Sequence, residues 1–323
     1  MANGAGARLK KLLERPEVVL MPGGFSPLMA RMLEKLEFEA MFMAGSQTNI
    51  YVHGLPDVGL ISMREMIDNA RRITAVSDIP VFMDGDTGFG NVLNVTRTVR
   101  EAALAGVAMM SLEDQEAPKR SGTAAGRRLI SEEEALGKLK AAVEVRDAMG
   151  SDMLICARTD MIGSEQGVDQ ADGGFDMAVQ RCTRFFEEAH VDATWINTVV
   201  TKEQMAEACS RIPGPVVPLY GGQPPGLSPE EWQAIGAAGA LYPSLTTTAG
   251  TQAVWELLND FKERGLAAQQ DSGRRGRESK WGAVDIQGLL VPGPKQVEHL
   301  ENDLLPGELQ RNYEDTWGHP TQA

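Results

Sequence analysis

The sequence predicts an α/β protein, a (β/α)8 TIM-type barrel with a C-terminal extension. Eight short β-rich runs alternate with capped amphipathic segments, and several runs are apolar almost throughout, as strands covered on both faces should be. The predicted strands span residues 18–21, 40–44, 80–84, 107–114, 153–158, 193–198, 215–219 and 240–242. Right-handed crossovers can close eight such units into a barrel. A doubly wound open sheet is the alternative that this pattern leaves open.

Helix starts can be located between the predicted strands. Ser26 and Pro27 place a capping residue before a proline at the first helical position. Four further starts have the capping-box spacing, in which a hydroxyl residue is followed three positions later by Glu or Gln. These are Ser62 with Glu65, Ser131 with Glu134, Thr201 with Gln204 and Ser228 with Glu231.

The pattern changes after about Gly265. Residues 267–280 are polar and contain the basic run Arg274, Arg275 and Arg277, which is typical of a flexible connection. Apolar residues beyond it are suited to docking on a barrel or on a neighbouring subunit. We therefore predict that residues 1–265 form the (β/α)8 catalytic barrel and that residues 266–323 form a C-terminal linker and docking extension.

The composition excludes several classes of protein. The 323 residues suit a barrel of about 250 residues with an extension. A net charge of −14 argues against nucleic-acid or anionic-membrane partners, and no run approaches the roughly 18 apolar residues of a membrane span. The three cysteines lack the CxxC spacing of a zinc site, and the short polar N-terminus is unlike a secretory signal. We therefore expect a cytoplasmic protein that acts on a small molecule.

Four predicted strand ends are unusually polar, and function in a β/α barrel is located where strands end and loops begin. Several carboxylates at one mouth would repel each other unless a cation lay among them. Because the candidate ligands are oxygens without adjacent Cys or His, Mg²⁺, or alternatively Mn²⁺, is favoured over zinc. Arg158 offers a fork for a substrate carboxylate or phosphonate. The polar segments are residues 55–59, 84–90, 113–115 and 158–160.

Each of these segments also has a structural interpretation. The spacing of Asp84 and Asp86 is common in Asx-turns and calcium loops, and Glu113 with Asp114 after a strand can cap the next helix. Their joint placement at consecutive strand ends is harder to explain by local structure. The combined pattern therefore favours a functional site.

As an ordered set, the motifs resemble the isocitrate lyase/phosphoenolpyruvate mutase superfamily over about residues 8–265. The resemblance implies a barrel with its eighth helix exchanged between subunits, and a homotetramer made of two helix-swapped dimers. It also implies bound Mg²⁺ and a 2-oxo acid or its enolate at the barrel mouth. The motifs are Pro22-Gly23, Gly54-Leu55-Pro56-Asp57, Asp84-x-Asp86-Thr87-Gly88-Phe89-Gly90-Asn91, Glu113-Asp114-Gln115, Pro118-Lys119-Arg120 and Ala157-Arg158-Thr159-Asp160.

The resemblance implies roles for individual residues in the metal half of the site. Asp84 corresponds to the direct metal ligand. Asp57, Asp86 and Glu113 correspond to residues that hold the metal's water shell, and Arg158 corresponds to the arginine that anchors the substrate.

Residues 115–128 correspond to a mobile gate that carries Lys119, and their richness in Gly, Ala and charge suits a moving loop. We expect the catalytic residues to be Arg158, Lys119, Ser121 and Glu113. The substrate is expected to contact Ala44, Gly45, Ser46, Asp57, Arg158, Asn197, Leu219 and Tyr220.

The half of the site that recognises the rest of the substrate departs from the superfamily pattern. Carbon–carbon lyases of the superfamily carry a cysteine and a histidine in the gate, where this chain has Ser121 and Thr123. Because a hydroxyl is a much weaker acid than a thiol, proton delivery cannot work identically. Ala44 replaces a usual serine, Asn197 a usual glutamate and Leu219 a usual asparagine, with Tyr220 beside it.

The sequence therefore predicts a Mg²⁺-dependent lyase that cleaves a C–C bond of a 2-hydroxy- or 2-oxo-carboxylate through a metal-stabilised enolate. The distal part of that substrate should be larger or less polar than in isocitrate. One alternative is P–C chemistry on a phosphonopyruvate-type substrate, and another is decarboxylation or hydrolysis of an oxaloacetate-type acid. An alternative of another class is a non-catalytic barrel that binds a metabolite.

Overall fold

A sheet of seven parallel strands forms the centre of the first of two compact units, into which the chain divides between Ala253 and Val254. The structure, a computed structural model, describes residues 4–198, 201–218 and 227–312. The strands lie in the order β6-β5-β4-β3-β2-β1-β7. They are β1 Val19–Gly24, β2 Met41–Met43, β3 Val81–Asp84, β4 Met109–Glu113, β5 Leu154–Thr159, β6 Ala193–Ile196 and β7 Gly239–Tyr242.

Residues 215–218 close this sheet into a barrel. The Thr194 N–H donates to the Pro215 carbonyl at 2.9 Å, and the Val217 N–H donates to the Thr194 carbonyl at 2.9 Å, which joins the segment to β6. On its other side, the Ala238 N–H donates to the Val216 carbonyl at 2.9 Å. The segment therefore takes the place of the predicted seventh strand, and the predicted barrel fold is confirmed.

The helices lie between the strands, and the predicted N-caps are confirmed. The side chains of Ser26, Ser62, Ser131, Thr201 and Ser228 each accept a hydrogen bond from a backbone N–H in the first turn of a helix. The helices are α1 Ala5–Leu13, α2 Pro27–Lys35, α3 Gly45–Thr48, a π-helical turn Asn49–His53, α4 Met63–Thr74, α5 Val92–Leu104, α6 Glu132–Ala148, α7 Phe175–Ala189, α8 Lys202–Arg211, α9 Pro229–Ala234 and α10 Leu245–Arg264.

The interior of the barrel is filled by side chains rather than by solvent. Phe42 and Phe82 each pack edge to face against Trp195 and are tilted against each other, with ring centroids 5.1–6.5 Å apart. Leu9 and Leu13 of α1, a helix that the sequence analysis did not predict, belong to the same cluster. This packed interior confines any ligand site of the barrel to its ends.

The second unit differs from the sequence prediction in one respect. Where a flexible connection was expected, the chain forms helix α11, Leu266–Glu278. Ion pairs one turn apart stabilise it, since Arg274 contacts both Asp271 and Glu278. Beyond α11 lie the short helix Gln287–Leu289, α12 Pro294–Leu304 and the short helix Gly307–Leu309. The domain limits at residue 265 stay a prediction.

Across the described residues, no helix is both long enough and apolar enough to cross a membrane.

The Ser62 capping box at the start of α4 offers a test of the local energetics. The Ser62 side chain accepts from the Glu65 N–H, and the Glu65 carboxylate accepts from the Ser62 N–H at 2.7 Å. We expect Ser62→Ala to lower the free energy of unfolding by about 1 kcal/mol. Ser62→Thr keeps a capping hydroxyl and should stay near the wild type. Urea unfolding at equal protein concentration measures both, and equal midpoints for Ala and Thr would contradict the assignment.

Candidate active site

Polar side chains from three neighbouring strands meet at the carboxyl end of the barrel. Asp84 is the last residue of β3, Glu113 is the last residue of β4, and Arg158 lies directly beside Glu113 in the β4–β5 register. All three are buried. The parallel sheet thus brings together residues that lie 74 positions apart in the sequence, from Asp84 to Arg158.

A tight turn after β3 fixes the two aspartates of the DxD motif. Asp86 has a positive φ of 47°, and its N–H donates to Asp84 Oδ1 at 3.3 Å. The Gly45 N–H donates to the other oxygen, Asp84 Oδ2, at 3.3 Å. A Cβ on Gly45 would lie only 2.9 Å from that oxygen, so glycine permits the close approach. Gly45 therefore directs its amide to Asp84, and its predicted contact with the substrate stays a prediction.

Lys119 brings a positive charge to these carboxylates. Its Nζ lies 2.5 Å from Asp57 Oδ1 and 2.8 Å from Asp86 Oδ1. Burial alone would lower the pKa of Lys119, but the surrounding carboxylates, Asp86 foremost, raise it well above its usual value. The ammonium is therefore charged at any physiological pH.

Arg158 is the second cation of the site, and its orientation is fixed from several sides. Its Nη1 lies 3.0 Å from Glu113 Oε2 and 3.9 Å from Asp84 Oδ2. Its Nη2 donates to Asp160 Oδ1 at 3.0 Å, and its Nε lies 2.8 Å from Asp160 Oδ2. The guanidinium carbon stands 4.4 Å from the ring centroid of Trp195. The side chain is thus held in place before any ligand binds.

The site carries more negative than positive charge. Among the described residues, the five carboxylates of Asp57, Asp84, Asp86, Glu113 and Asp160 pair with three cations, Lys119, Arg158 and Arg127. Burial raises the pKa of Asp86 to about 6 against the opposing effect of Lys119. Burial likewise raises the pKa of Glu113 well above its ordinary value, and neither of its buried oxygens has a hydrogen bond.

This donor set fits a divalent cation such as Mg²⁺ in kind and in charge. All the candidate ligands are carboxylate oxygens, and one divalent ion would balance the excess of two negative charges. Within the described residues, however, no group of three or more His, Cys, Asp or Glu is arranged to hold a metal directly. The arrangement is compatible with a metal ion that one carboxylate binds directly and the other carboxylates bind through water, because Lys119 already bridges Asp57 and Asp86.

A cavity of about 800 Å³ opens above this cluster. Of the predicted residues, Ala44, Ser46, Asp57, Asp84, Ser121, Arg158 and Asn197 line it. Its remaining wall is largely apolar and includes Phe42, Ile50, Trp195, Tyr242, Leu245 and Ala249. Asp86 and Lys119 instead border a second cavity of about 590 Å³ near the starts of α4 and α5. Leu219 and Tyr220 lie outside the described residues.

The predicted gate, residues 115–128, is a flap attached to the end of β4. Gln115 and Leu129 form an antiparallel bridge, and the Glu116 N–H donates to the Arg128 carbonyl at 2.8 Å. Ser121 lies on the cavity wall, and its hydroxyl makes no hydrogen bond to any described residue. Within the part of the chain that the structure describes, no base is therefore hydrogen-bonded to it.

Two buried groups support the site in ways that were not predicted from the sequence. Asp114 accepts hydrogen bonds from Thr159 Oγ1 at 2.6 Å, the Asp160 N–H at 3.0 Å and Arg181 Nε at 2.9 Å, and so fixes the turn after β5. Arg127 contacts Asp160 and the Ile162 carbonyl. Asp114 belongs to the Glu113-Asp114-Gln115 motif, which is a signal in the sequence. Nothing in the sequence around Arg127 distinguishes it from its exposed neighbour Arg128.

The chain is similar in sequence to known proteins over most of its length. A sequence profile of the phosphoenolpyruvate phosphomutase family matches residues 9–261. The 2,3-dimethylmalate lyase of Eubacterium barkeri is 36% identical over 258 residues, which cover 79% of this chain and 86% of that enzyme.

Two solved structures are similar in fold. Phosphoenolpyruvate phosphomutase from Streptomyces platensis subsp. rosaceus has a TM-score of 0.78 at 26% identity, covering 93% of this chain and 99% of that one. Oxaloacetate acetylhydrolase in complex with the inhibitor 3,3-difluorooxalacetate has a TM-score of 0.75 at 26% identity, covering 87% of this chain and 98% of that one.

Proposed function

The chain belongs to the phosphoenolpyruvate phosphomutase family within the isocitrate lyase/phosphoenolpyruvate mutase superfamily, and on that premise we propose that it is a Mg²⁺-dependent carbon–carbon lyase. Its substrate would be a 2-hydroxy- or 2-oxo-carboxylate cleaved through an enolate. The observation that supports this proposal is the excess of buried carboxylates around Lys119 and Arg158, next to the large cavity that Asp57, Asp84 and Arg158 line.

Asp84 would hold the metal directly, and Asp57, Asp86 and Glu113 would hold it through water. When bound, the ion supplies charge that stabilises an enolate oxygen. Arg158 supplies a second positive charge, and its contacts with Asp160 and Glu113 fix it before the reaction begins. Such fixed charges need no reorganisation as negative charge develops on the substrate.

The cavity supports a substrate with a less polar distal part than isocitrate. Arg158 is the single cationic side chain that lines it among the described residues, and Lys119 faces the carboxylates at its floor. Once Arg158 anchors the carboxylate at the reacting end, no second cation of this wall remains for a distal carboxylate. Aromatic and aliphatic side chains suit alkyl substituents there.

We expect Mg²⁺-dependent C–C cleavage in a panel of 2-hydroxy and 2-oxo acids that differ in their distal groups, with products identified by mass spectrometry. Acids with alkyl distal groups should be cleaved faster than tricarboxylates. Conversion of phosphonopyruvate without C–C cleavage would favour P–C chemistry. Binding of acids, seen as a thermal shift, without turnover of any would favour the non-catalytic barrel.

Asp84→Asn should lower this metal-dependent turnover by at least about 100-fold, because a direct ligand should matter at least as much as an outer partner. The matched control is Asp169→Asn, an exposed aspartate outside the site, which should retain full activity. The thermal shift produced by Mg²⁺ should disappear in Asp84→Asn alone. An unchanged metal response in that variant would show that Asp84 is not the ligand.

Ser121 tests how the gate takes part in the reaction. Because no base among the described residues is hydrogen-bonded to its hydroxyl, we expect Ser121→Ala to reduce turnover less than tenfold, with part of the effect in KM. A loss of about 10²–10⁴-fold in kcat would instead identify Ser121 as the proton-transfer group. Steady-state kinetics on the best acid of the panel separates these outcomes.

We propose that the protein forms a homotetramer of two dimers that exchange residues 246–264. Support comes from α10, where Val254, Trp255, Leu258 and Phe261 are 48–66% exposed. Burying such side chains against a second copy would remove apolar surface from water. We expect light scattering at micromolar concentration to give a tetramer and Trp255→Glu to reduce the assembled mass. A monomeric wild type would contradict the proposal.

A further inference from the structure

Asn197 connects the gate to the centre of the site. Its side-chain amide donates one hydrogen bond to the Gly122 carbonyl at 2.8 Å and another to Asp160 Oδ1 at 2.5 Å. Both amide hydrogens are thus engaged within the protein. The sequence analysis placed Asn197 among the substrate contacts, but its donors point to the gate and to Asp160.

Asp160 is the carboxylate that orients Arg158. Its Oδ1 accepts from Arg158 Nη2 at 3.0 Å and from Arg127 Nη1 at 3.3 Å, in addition to Asn197. Arg127 lies near the end of the gate, and Asn197 is bonded to the gate carbonyl. The fully buried carboxylate of Asp160 therefore contacts both of these groups as well as Arg158. A displacement of the gate therefore changes the hydrogen bonds of the group that positions Arg158.

Thr198 holds the same gate carbonyl from a strained backbone conformation. Its hydroxyl donates to the Gly122 carbonyl at 3.0 Å and accepts from Arg127 Nη1 at 3.2 Å. Its φ is +64°, which is a genuine outlier for a β-branched residue. Such strain persists only where the surroundings impose it, and here it directs the hydroxyl to the gate.

The tip of the gate fits against Arg158 so closely that only glycine is accommodated. A Cβ on Gly122 would lie 2.4 Å from Asn197 Nδ2 and 2.5 Å from Arg158 Nη2. Both atoms are held by the contacts described above, so neither can move away without breaking them. The close approach is therefore a property of the closed gate.

We propose that Asn197 and Thr198 are positioning residues that latch the gate at the Gly122 carbonyl, and that Asp160 couples this latch to the placement of Arg158. The latch is a property of the free protein and does not depend on which substrate is cleaved. It predicts that disrupting Asn197 opens the gate even when no ligand is present.

Limited trypsin digestion measures gate opening directly. Lys119 and Arg127 lie in the gate with side chains 3% and 4% exposed, so cleavage after either requires the gate to open, whereas cleavage after the exposed Arg120 or Arg128 does not. Lys138, 6% exposed in α6, reports global unfolding of the same sample. Mass spectrometry of the fragments gives the three cleavage rates separately for each variant.

Asn197→Asp replaces the amide NH2, which donates both hydrogen bonds, with an oxygen that faces the Gly122 carbonyl and the Asp160 carboxylate. We expect cleavage after Lys119 and Arg127 to be about tenfold faster, while cleavage after Lys138 stays at the wild-type rate. Thr198→Val should have a smaller effect in the same direction, and Thr198→Ser, which keeps the hydroxyl, should resemble the wild type. Gate cleavage of Asn197→Asp at the wild-type rate would overturn the proposal and leave Asn197 as a substrate contact.

Asp160→Asn tests the coupling to Arg158. The new amide nitrogen would face the donors of Asn197, Arg127 and Arg158 in one orientation and Arg158 Nε in the other. In both orientations these donors lose the negative charge that they bind, so the gate should again open about tenfold more often. If all three cleavage rates rise equally in Asn197→Asp and in Asp160→Asn, the residues support the fold and not a latch. A closed gate in Asp160→Asn would refute the coupling.

Discussion

The excess of buried negative charge at the carboxyl ends of β3 and β4 is the constraint on which the site depends. Carboxylates that leave water need compensating charges and hydrogen bonds, because an unpaired buried charge is strongly destabilising. Here one compensating cation, Arg158, comes from the rigid barrel, and the other, Lys119, comes from the gate. The charge balance of the site and the position of the gate are therefore not independent.

The two cations differ in how firmly the fold holds them. Arg158 projects from a central strand, and a carboxylate two residues away fixes its guanidinium. Lys119 is carried by a flap whose two ends pair with each other at Gln115 and Leu129 and whose tip is hydrogen-bonded to Asn197. Arg158 can therefore bind the substrate throughout a reaction, while Lys119 enters and leaves the site with the gate.

Much of the fold could be predicted from the sequence because its signals are local. Apolar runs located the strands, and hydroxyl residues such as Ser62 and Ser131 located helix starts through hydrogen bonds to the next few backbone amides. Helix α11 was missed because a polar composition is typical both of linkers and of exposed helices whose charges pair one turn apart. The convergence of Asp84, Glu113 and Arg158 followed from the barrel, in which parallel strands end at one mouth.

The parts that could not be predicted depend on contacts between distant segments. The positive φ of Thr198, the hydrogen bonds of Arg127 and the amide orientation of Asn197 exist only once the gate lies against the end of β6. The sequence contains these residues but not their mutual distances. Departures from the superfamily pattern, such as Asn197, indicated which positions differ in function, but they did not indicate which groups those residues contact.

The close packing around Gly122 also limits how the substrate range of this fold can change. Position 122 admits no side chain while the gate is closed, but Ser121 and Thr123 on either side of it line the cavity. New specificities can therefore arise by exchanging these two flanking side chains, while the backbone between them keeps its contact with Arg158. The gate separates the part of the loop that must stay constant for closure from the part that is open to variation.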